Sequence, residues 1–299
     1  MQKIFVAFLK FLSRLTGKNI VYFNSYPEGK KNFTAVKSPL GFWYAGDVRN
    51  SADIAYGILN SGMVEPEETK LVIRLLKQLL QRQPIVNFYD IGANTGYYGI
   101  LSAFLEKSKI RAFAFEPLEE NYKYLKESVY LNRLEDYFKI FTLALGDKNS
   151  EEIIYGSGTG ASLNKEFLDM PKPTETIVAV KRLDDLVVSQ NLPLPDFVKI
   201  DVEGHELPVL EGSRNILQTA LPVLFVEIAR SLKNIGRNYE NKDYARTFEF
   251  LSQFGYKAYC LNGNQLAEFL SDKSTEGVRM FLFIHPQKHK FKVIGQNIL

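Results

Sequence analysis

Five carboxylates stand at or just past the ends of apolar, strand-like stretches: Asp90 after "IVNFY", Glu116 after "IRAFAF", Asp147 in "LALGD", Asp201 after "FVKI" and Glu227 after "PVLFV". Open sheets of parallel strands bind ligands at the carboxyl ends of those strands, so acids at these positions form one rim. Between the first two lies "YDIGANTGYYG", residues 89–99, with glycines at 92, 96 and 99. A dinucleotide fingerprint reads G-x-G-x-x-G, and a phosphate loop reads G-x-x-x-x-G-K-[ST]. The spacing G-x-x-x-G-x-x-G matches neither, and no lysine follows Gly96.

Glycines and acids together suit a ligand that carries both a carboxylate and a positive charge. S-adenosylmethionine is such a ligand. Its carboxylate can take backbone N–H groups at a helix start, and its ammonium and sulfonium favour anions such as Asp90 and Asp201. Glu116 is placed to accept the ribose hydroxyls, although a second-strand acid also occurs in dinucleotide folds. Asp147 is placed to reach the adenine edge. Taken singly, Gly92 and Gly96 could mark a plain turn and Asp147 a turn residue before Asn149. Their order and spacing favour the cofactor.

Methyl transfer is an in-line displacement, so a protein that performs it must align an acceptor atom and manage its proton. "DVEGHE" supplies Asp201, Glu203 and His205 just past the fourth strand. His205 is either the general base or a helix-start histidine bonded locally. Asp201 faces the methionine end of the cofactor or orients the acceptor. Glu203 binds acceptor hydroxyls or caps the next helix. Glu227, among apolar neighbours in "FVEIA", needs a partner and is assigned to the acceptor or to ordering the site. The same four residues offer ligands to a divalent cation, but no fixed metal signature such as H-E-x-x-H is present, and metal is not favoured. Acceptor selection falls to the long stretch 156–176 and to "RSLKNIGRNYENKDY", which offers Arg230, Arg237 and Tyr239.

These residues need a scaffold, and the pattern supplies one. From Pro84 onward strands alternate with helices, which predicts an α/β fold with a mostly parallel sheet covered on both faces. "YFKIFTLALGD" reads as one third strand, "TIVAVKRL" as a short strand after the loop, and "ELPVLEGSRNILQ" as one helix. The last two strand-like segments, in "YKAYCLNGNQLAEF" and "VRMFLFIHP", are expected to pair antiparallel at a sheet edge. Upstream, "EPEETKLVIRLLKQLLQRQ" predicts a helix with Pro66 near its start, and residues 20–62 an irregular layer with a small hairpin. The expected division is an extension over 1–83 and a catalytic domain over 84–299.

Charge and cysteine usage bound the partners. Residues 1–37 carry seven Lys/Arg against one Glu, the tail 286–299 carries three lysines and no acid, and the segment between is net acidic. A nucleic-acid groove is therefore not expected there. The single cysteine, Cys260, forms no internal disulfide, which points to a reducing, cytoplasmic setting. In "MQKIFVAFLKFLSRLTGK" apolar residues share one helical face opposite Lys3, Lys10 and Arg14. The helix either packs on protein or touches a membrane surface peripherally.

The segments "YDIGANTGYYG", "FAFEPLEENYKYLKESVYLN", "LALGDK", "GTGASL", "VKIDVEGHELPVLEGSRNIL" and "PVLFVEI" together closely resemble the FkbM-type methyltransferases, over residues 85–285. The resemblance implies a class I (Rossmann-like) methyltransferase fold with cofactor contacts along Asp90, Gly92, Asn94, Gly96, Tyr97, Glu116, Asp147 and Asp201. It implies O-methylation of a hydroxyl on a sugar, glycan or small natural product. Two other functions compete. One is an NAD(P)-dependent oxidoreductase, disfavoured by the glycine spacing, and the other is a non-catalytic adapter that keeps the cofactor fold. An exocyclic-amine methyltransferase would carry D/N/S-P-P-Y/F/W where this chain reads Asp201-Val202-Glu203-Gly204, and Cys260 lies on the wrong strand for a cytosine nucleophile.

Overall fold

A computed structural model describes residues 20–23, 33–48, 50–51, 53–262, 265–269 and 279–291. The basic amphipathic segment at the amino terminus and the lysine-bearing tail beyond Phe291 lie outside them. Among the described residues no helix is long and apolar enough to cross a membrane.

The central strands are β4 (Val86–Ile91), β5 (Ile110–Phe115), β6 (Phe138–Phe141), β10 (Phe197–Ile200), β11 (Val223–Glu227), β12 (Lys257–Asn262), β13 (Gln265–Glu268) and β14 (Met280–Ile284). They form one sheet in the order β13-β12-β14-β11-β10-β4-β5-β6. The pairs β4–β5, β5–β6, β4–β10 and β10–β11 are parallel, and β14 runs antiparallel to both β11 and β12. The chain leaves β4 toward β5 and β6, then returns to continue on the other side with β10 and β11. That reversal opens a crevice at the carboxyl ends of β4 and β10. This is the class I, Rossmann-like methyltransferase arrangement.

Each central strand is apolar on both faces because each face meets a helical layer. Phe88, Phe197 and Phe225 point into a core shared with α2 (Pro66–Leu80) and α3 (Tyr97–Leu105). Tyr89, Val198, Ile200 and Val226 point into a second core with Leu183, Leu207 and Leu210. The upstream strands β1 (Ile20–Phe23), β2 (Phe33–Lys37) and β3 (Trp43–Gly46) make a three-stranded antiparallel sheet, one strand more than the expected hairpin. Val36, Phe42 and Tyr44 belong to the first core, as do residues of α1 (Ile54–Ser61). Helix α2 spans the stretch its acids, proline and apolar face predicted.

Three sequence expectations change. The expected third strand divides: β6 ends at Phe141, and β7 (Ala144–Leu145) joins β8 (Ser150–Tyr155) and β9 (Glu175–Lys181) in a separate three-stranded sheet. The reason lies in β9, which alternates buried Val178 and Val180 with exposed Ile177 and Ala179 and so has only one face to bury. The expected helix after β10 breaks into α7 (Glu206–Glu211) and α8 (Arg214–Thr219). A Cβ on Gly212 would fall 1.9 Å from the Gly146 carbonyl oxygen, and Asp184 accepts the backbone N–H groups of Asn215 and Ile216 to start the second piece. Finally, β12 and β14 pair antiparallel as expected, yet β14 inserts between β11 and β12, leaving β13 at the edge.

The crevice depends on one tight approach. Gly92 has φ +71°, and a Cβ there would lie 1.8 Å from the Asp201 carbonyl oxygen. Gly92→Ala is therefore expected to lower unfolding free energy by about 3 kcal/mol, from left-handed strain plus overpacking, read from the urea midpoint. A wild-type midpoint would contradict the close contact.

Candidate active site

The glycine loop is held mainly by its own backbone. The N–H groups of Gly92 and Ala93 donate to the Phe115 carbonyl at 3.0 and 3.1 Å, and that of Gly96 donates to Ala93 at 2.8 Å. Asn94, at φ +52°, donates its N–H to Glu116 Oε2 at 2.8 Å, while its Oδ1 accepts from Thr95 N at 2.6 Å. The loop N–H groups from 92 to 96 thus have partners within the protein. Gly96, at φ +89°, starts α3, and a Cβ there would meet Leu125 at 2.1 Å. Its role is packing. Tyr97 turns into the core, where its hydroxyl accepts from Val64 N, so it does not reach the cleft.

Glu116 does reach it. Its carboxylate accepts from Asn94 N, Leu118 N and Asn121 Nδ2 at 2.8, 2.9 and 3.2 Å. A carboxylate offers about four acceptor positions, so room remains for a further donor from the cleft. Burial lifts its pKa to about 7 against the pull of those hydrogen bonds. The cleft holds about 640 Å³, open to solvent at its mouth, and Ile91, Gly92, Glu116, Leu145, Asp201 and His205 are among its walls.

At the crevice floor the three central strands bring acids to one face. Asp90 is fully buried beneath the loop; its Oδ2 accepts from Gly99 N at 2.8 Å, and its Oδ1 has no partner. Directly opposite in register on β10 is Lys199, itself buried, with Nζ 2.9 Å from Asp201 Oδ2 and 5.0 Å from the Tyr98 ring centre. Tyr98 donates its hydroxyl to Glu65 Oε2 at 2.6 Å. Lys199 holds the Asp201 carboxyl below its ordinary pKa despite burial. Its neighbours move the other way. Burial, with Asp201 nearby, raises Glu203 to about 8 and Glu227 well above its usual range, so Glu227 stays protonated and hydrogen-bonds to Asp201. A buried unpaired charge costs several kcal/mol, and neutralisation is the escape. The sequence reading missed Lys199 and Glu65. The signal for Lys199 was present: a lysine within the otherwise apolar strand "FVKI".

Past β10 the turn is strained and strapped. Glu203 lies at φ +54° and Gly204 at φ +89°, and the Gly204 N–H donates to Glu206 Oε1 at 2.8 Å. The segment 157–164 crosses the cleft. At one end Gly158 N donates to Glu120 Oε1 at 2.7 Å, and at the other Ser162 Oγ donates to the Glu203 carbonyl at 2.5 Å. Behind Gly204 the rings of Phe167 and Tyr239 meet edge to face at 5.0 Å.

His205 lines the cleft from the side of Gly146, and its buried Nε2 has no partner. Burial lowers its pKa, while the charged groups around it, Glu152, Asp147 and Lys148, belong to the second sheet and its lead-in. It is therefore separate from the Asp201–Glu227 pair. Two expected site residues stand apart. Asp147 is exposed beyond β7, because the divided third strand carries it past the cleft and leaves Ala144 and Leu145 as the lining there. Arg230 is exposed, with its guanidinium over the Tyr244 ring. Among the described residues no three His, Cys, Asp or Glu side chains converge on a position that could hold a metal ion.

A sequence model described as the methyltransferase FkbM domain matches residues 90–258. The chain is 31% identical over 148 residues to the hexuronic acid methyltransferase AglP of Haloferax volcanii, a match covering 50% of this chain and 57% of that protein. Among solved structures it is similar to a methyltransferase FkbM from Methylobacillus flagellatus, at 17% identity and TM-score 0.45, covering 67% of this chain and 44% of that one. It is also similar to an O-methyltransferase from Bacillus cereus in complex with SAH, at 16% identity and TM-score 0.44, covering 77% and 84%.

The buried acids make stability depend on pH. Glu206, raised to about 7 by burial, contributes stability that is full below the ordinary glutamate pKa and lost as pH rises through about 7. Glu206→Gln keeps an acceptor for the Gly204 N–H but cannot ionise. Its urea midpoint is expected to fall less than that of the wild type between pH 5 and pH 7.5; an equal fall in both would contradict the assignment.

Proposed function

The chain belongs to the methyltransferase FkbM family, and on that premise we propose that it moves a methyl group from S-adenosylmethionine to a hydroxyl of a sugar, with an acidic sugar as first choice. The observation that carries this reading is the charge pattern of the cleft: Asp201 stays anionic among acids that burial keeps neutral. A phosphate-bearing cofactor would meet repulsion at such a floor, whereas a sulfonium is attracted to it.

The residues present fit S-adenosylmethionine. Glu116 binds the ribose hydroxyls through its remaining acceptor position, and the apolar wall at Ala144 and Leu145, with neutral His205 beside it, takes the adenine. The anionic Asp201 lies on the side left for the charged methionine end. When bound, the cofactor supplies a methyl carbon already activated for displacement, so the protein's task is alignment and proton removal. Asp201 would accept the acceptor hydroxyl's proton. Protonated Glu203 donates a hydrogen bond that orients an acceptor oxygen, while the Glu227 proton is held by Asp201 and fixes its orientation. Tyr239 and Phe167 back the turn that carries Glu203, and Arg237, the cation facing Glu203, suits a carboxylate on the acceptor. The hexuronic acid methyltransferase relative supports that sugar class, although this chain spans only 57% of its length.

Labelled S-adenosylmethionine incubated with uronic-acid-containing and neutral oligosaccharides tests the reading. Label is expected on the acidic sugars, with transfer unchanged by a chelator. Cofactor binding without transfer to any acceptor would favour an adapter, and NADH binding in its place would favour an oxidoreductase. Glu116→Ala is expected to weaken S-adenosylmethionine binding at least tenfold by calorimetry, and unchanged affinity would remove Glu116 from the cofactor site.

A further inference from the structure

We propose that Lys199 is a positioning residue for the reaction: its ammonium, fixed inside the central strand, keeps the Asp201 carboxylate anionic and turned into the cleft. This rests on methyl transfer at that cleft. Lys199 sits mid-sheet on β10, where its neighbours Phe197, Val198 and Ile200 are core residues. A lysine there is costly unless its charge is used. Its Nζ is fixed by Asp201 at 2.9 Å and by the Tyr98 ring, and the charge of Asp90, opposite it in register, attracts it. Tyr98 is anchored in turn by Glu65, at the start of α2. The ammonium therefore has no freedom to swing into the cleft, and it touches neither acceptor nor cofactor directly.

The groups facing Asp201 come from every element around it. Asp90 stands on β4, Lys199 on β10, Glu227 on β11, Glu203 on the following turn and Glu206 on α7, with Glu65 at the head of α2 facing Lys199 and Glu227. Lys199 is the lone cation among them. Remove it, and only the hydrogen bond from Glu227 still opposes the proton that burial and like charge would place on Asp201. The ammonium thus selects which carboxyl of the rim is the anion. Asp201 is that carboxyl because it is two residues along the same strand face and within direct hydrogen-bond reach.

The test compares Lys199→Met and Lys199→Arg with the wild type. Two readouts are taken: the pH dependence of kcat/KM for methyl transfer, and the pH dependence of S-adenosylmethionine affinity by calorimetry. In Lys199→Met the acid limb of the rate profile is expected to move up by at least one pH unit. Cofactor affinity should fall at least tenfold at pH 6 and less at pH 8. Lys199→Arg keeps the charge and should restore the wild-type limb in both readouts. A uniform loss across pH with unmoved limbs would overturn the proposal and leave Lys199 a packing residue. If Lys199→Met does not fold, Lys199→Gln, neutral but still able to hydrogen-bond Asp201, takes its place. Its acid limb should move up as for Lys199→Met, and an unmoved limb would equally overturn the proposal. A wild-type protein that binds no S-adenosylmethionine would instead refute the methyl-transfer reading itself.

Discussion

Gly92 and the Asp201 carbonyl oxygen meet so closely that no side chain could stand between them. That approach joins the loop after β4 to the turn after β10 at the point where strand order reverses, and it fixes the spacing between the two halves of the cleft. Asp201 N donates to the Ile91 carbonyl at 3.0 Å, continuing the parallel ladder one residue past the strand ends. The loop then satisfies its own N–H groups and turns Asn94 N toward Glu116, so that carboxyl in the cleft is positioned largely by backbone. A site held this way costs little to reorganise when a ligand arrives.

The charge pattern follows from burial. Carboxyls crowded at the ends of adjacent strands cannot all ionise in a poorly hydrated floor, so most are neutral and one is paired with a lysine. Such a floor discriminates by charge. A cationic ligand gains from it and an anionic one is repelled. The neutral acids on the rim serve as hydrogen-bond donors as well as acceptors, a useful property toward an acceptor dense in hydroxyls.

The segment over the cleft belongs to the same economy of parts. Residues 157–164 tie α4 (Glu119–Leu131) to the Glu203–Gly204 turn through Gly158 and Ser162, so the covering segment and that turn are one hydrogen-bonded unit. Glu203 keeps its left-handed backbone because the Ser162 and Glu206 bonds hold both sides of the turn.

The alternation of strands and helices, the acids at strand ends and the glycine spacing were readable without coordinates, because a doubly covered parallel sheet writes continuous apolar strands and places its ligands at their ends. So were α2 and the six family segments. The break in the third strand was not, since whether Ala144 and Leu145 stay in the central sheet depends on pairing with β9, more than thirty residues away. That break carried Asp147 out of the cleft. The directions of Tyr97 and Arg230 likewise depend on what packs around them. Lys199 was visible as a lysine in an apolar strand, but its meaning came only from register, which sets it opposite Asp90 and beside Asp201. Sequence fixes which residues reach a strand end, by local pattern. Only tertiary structure decides which of them share a face and which charge each one keeps, because both depend on neighbours distant in the chain.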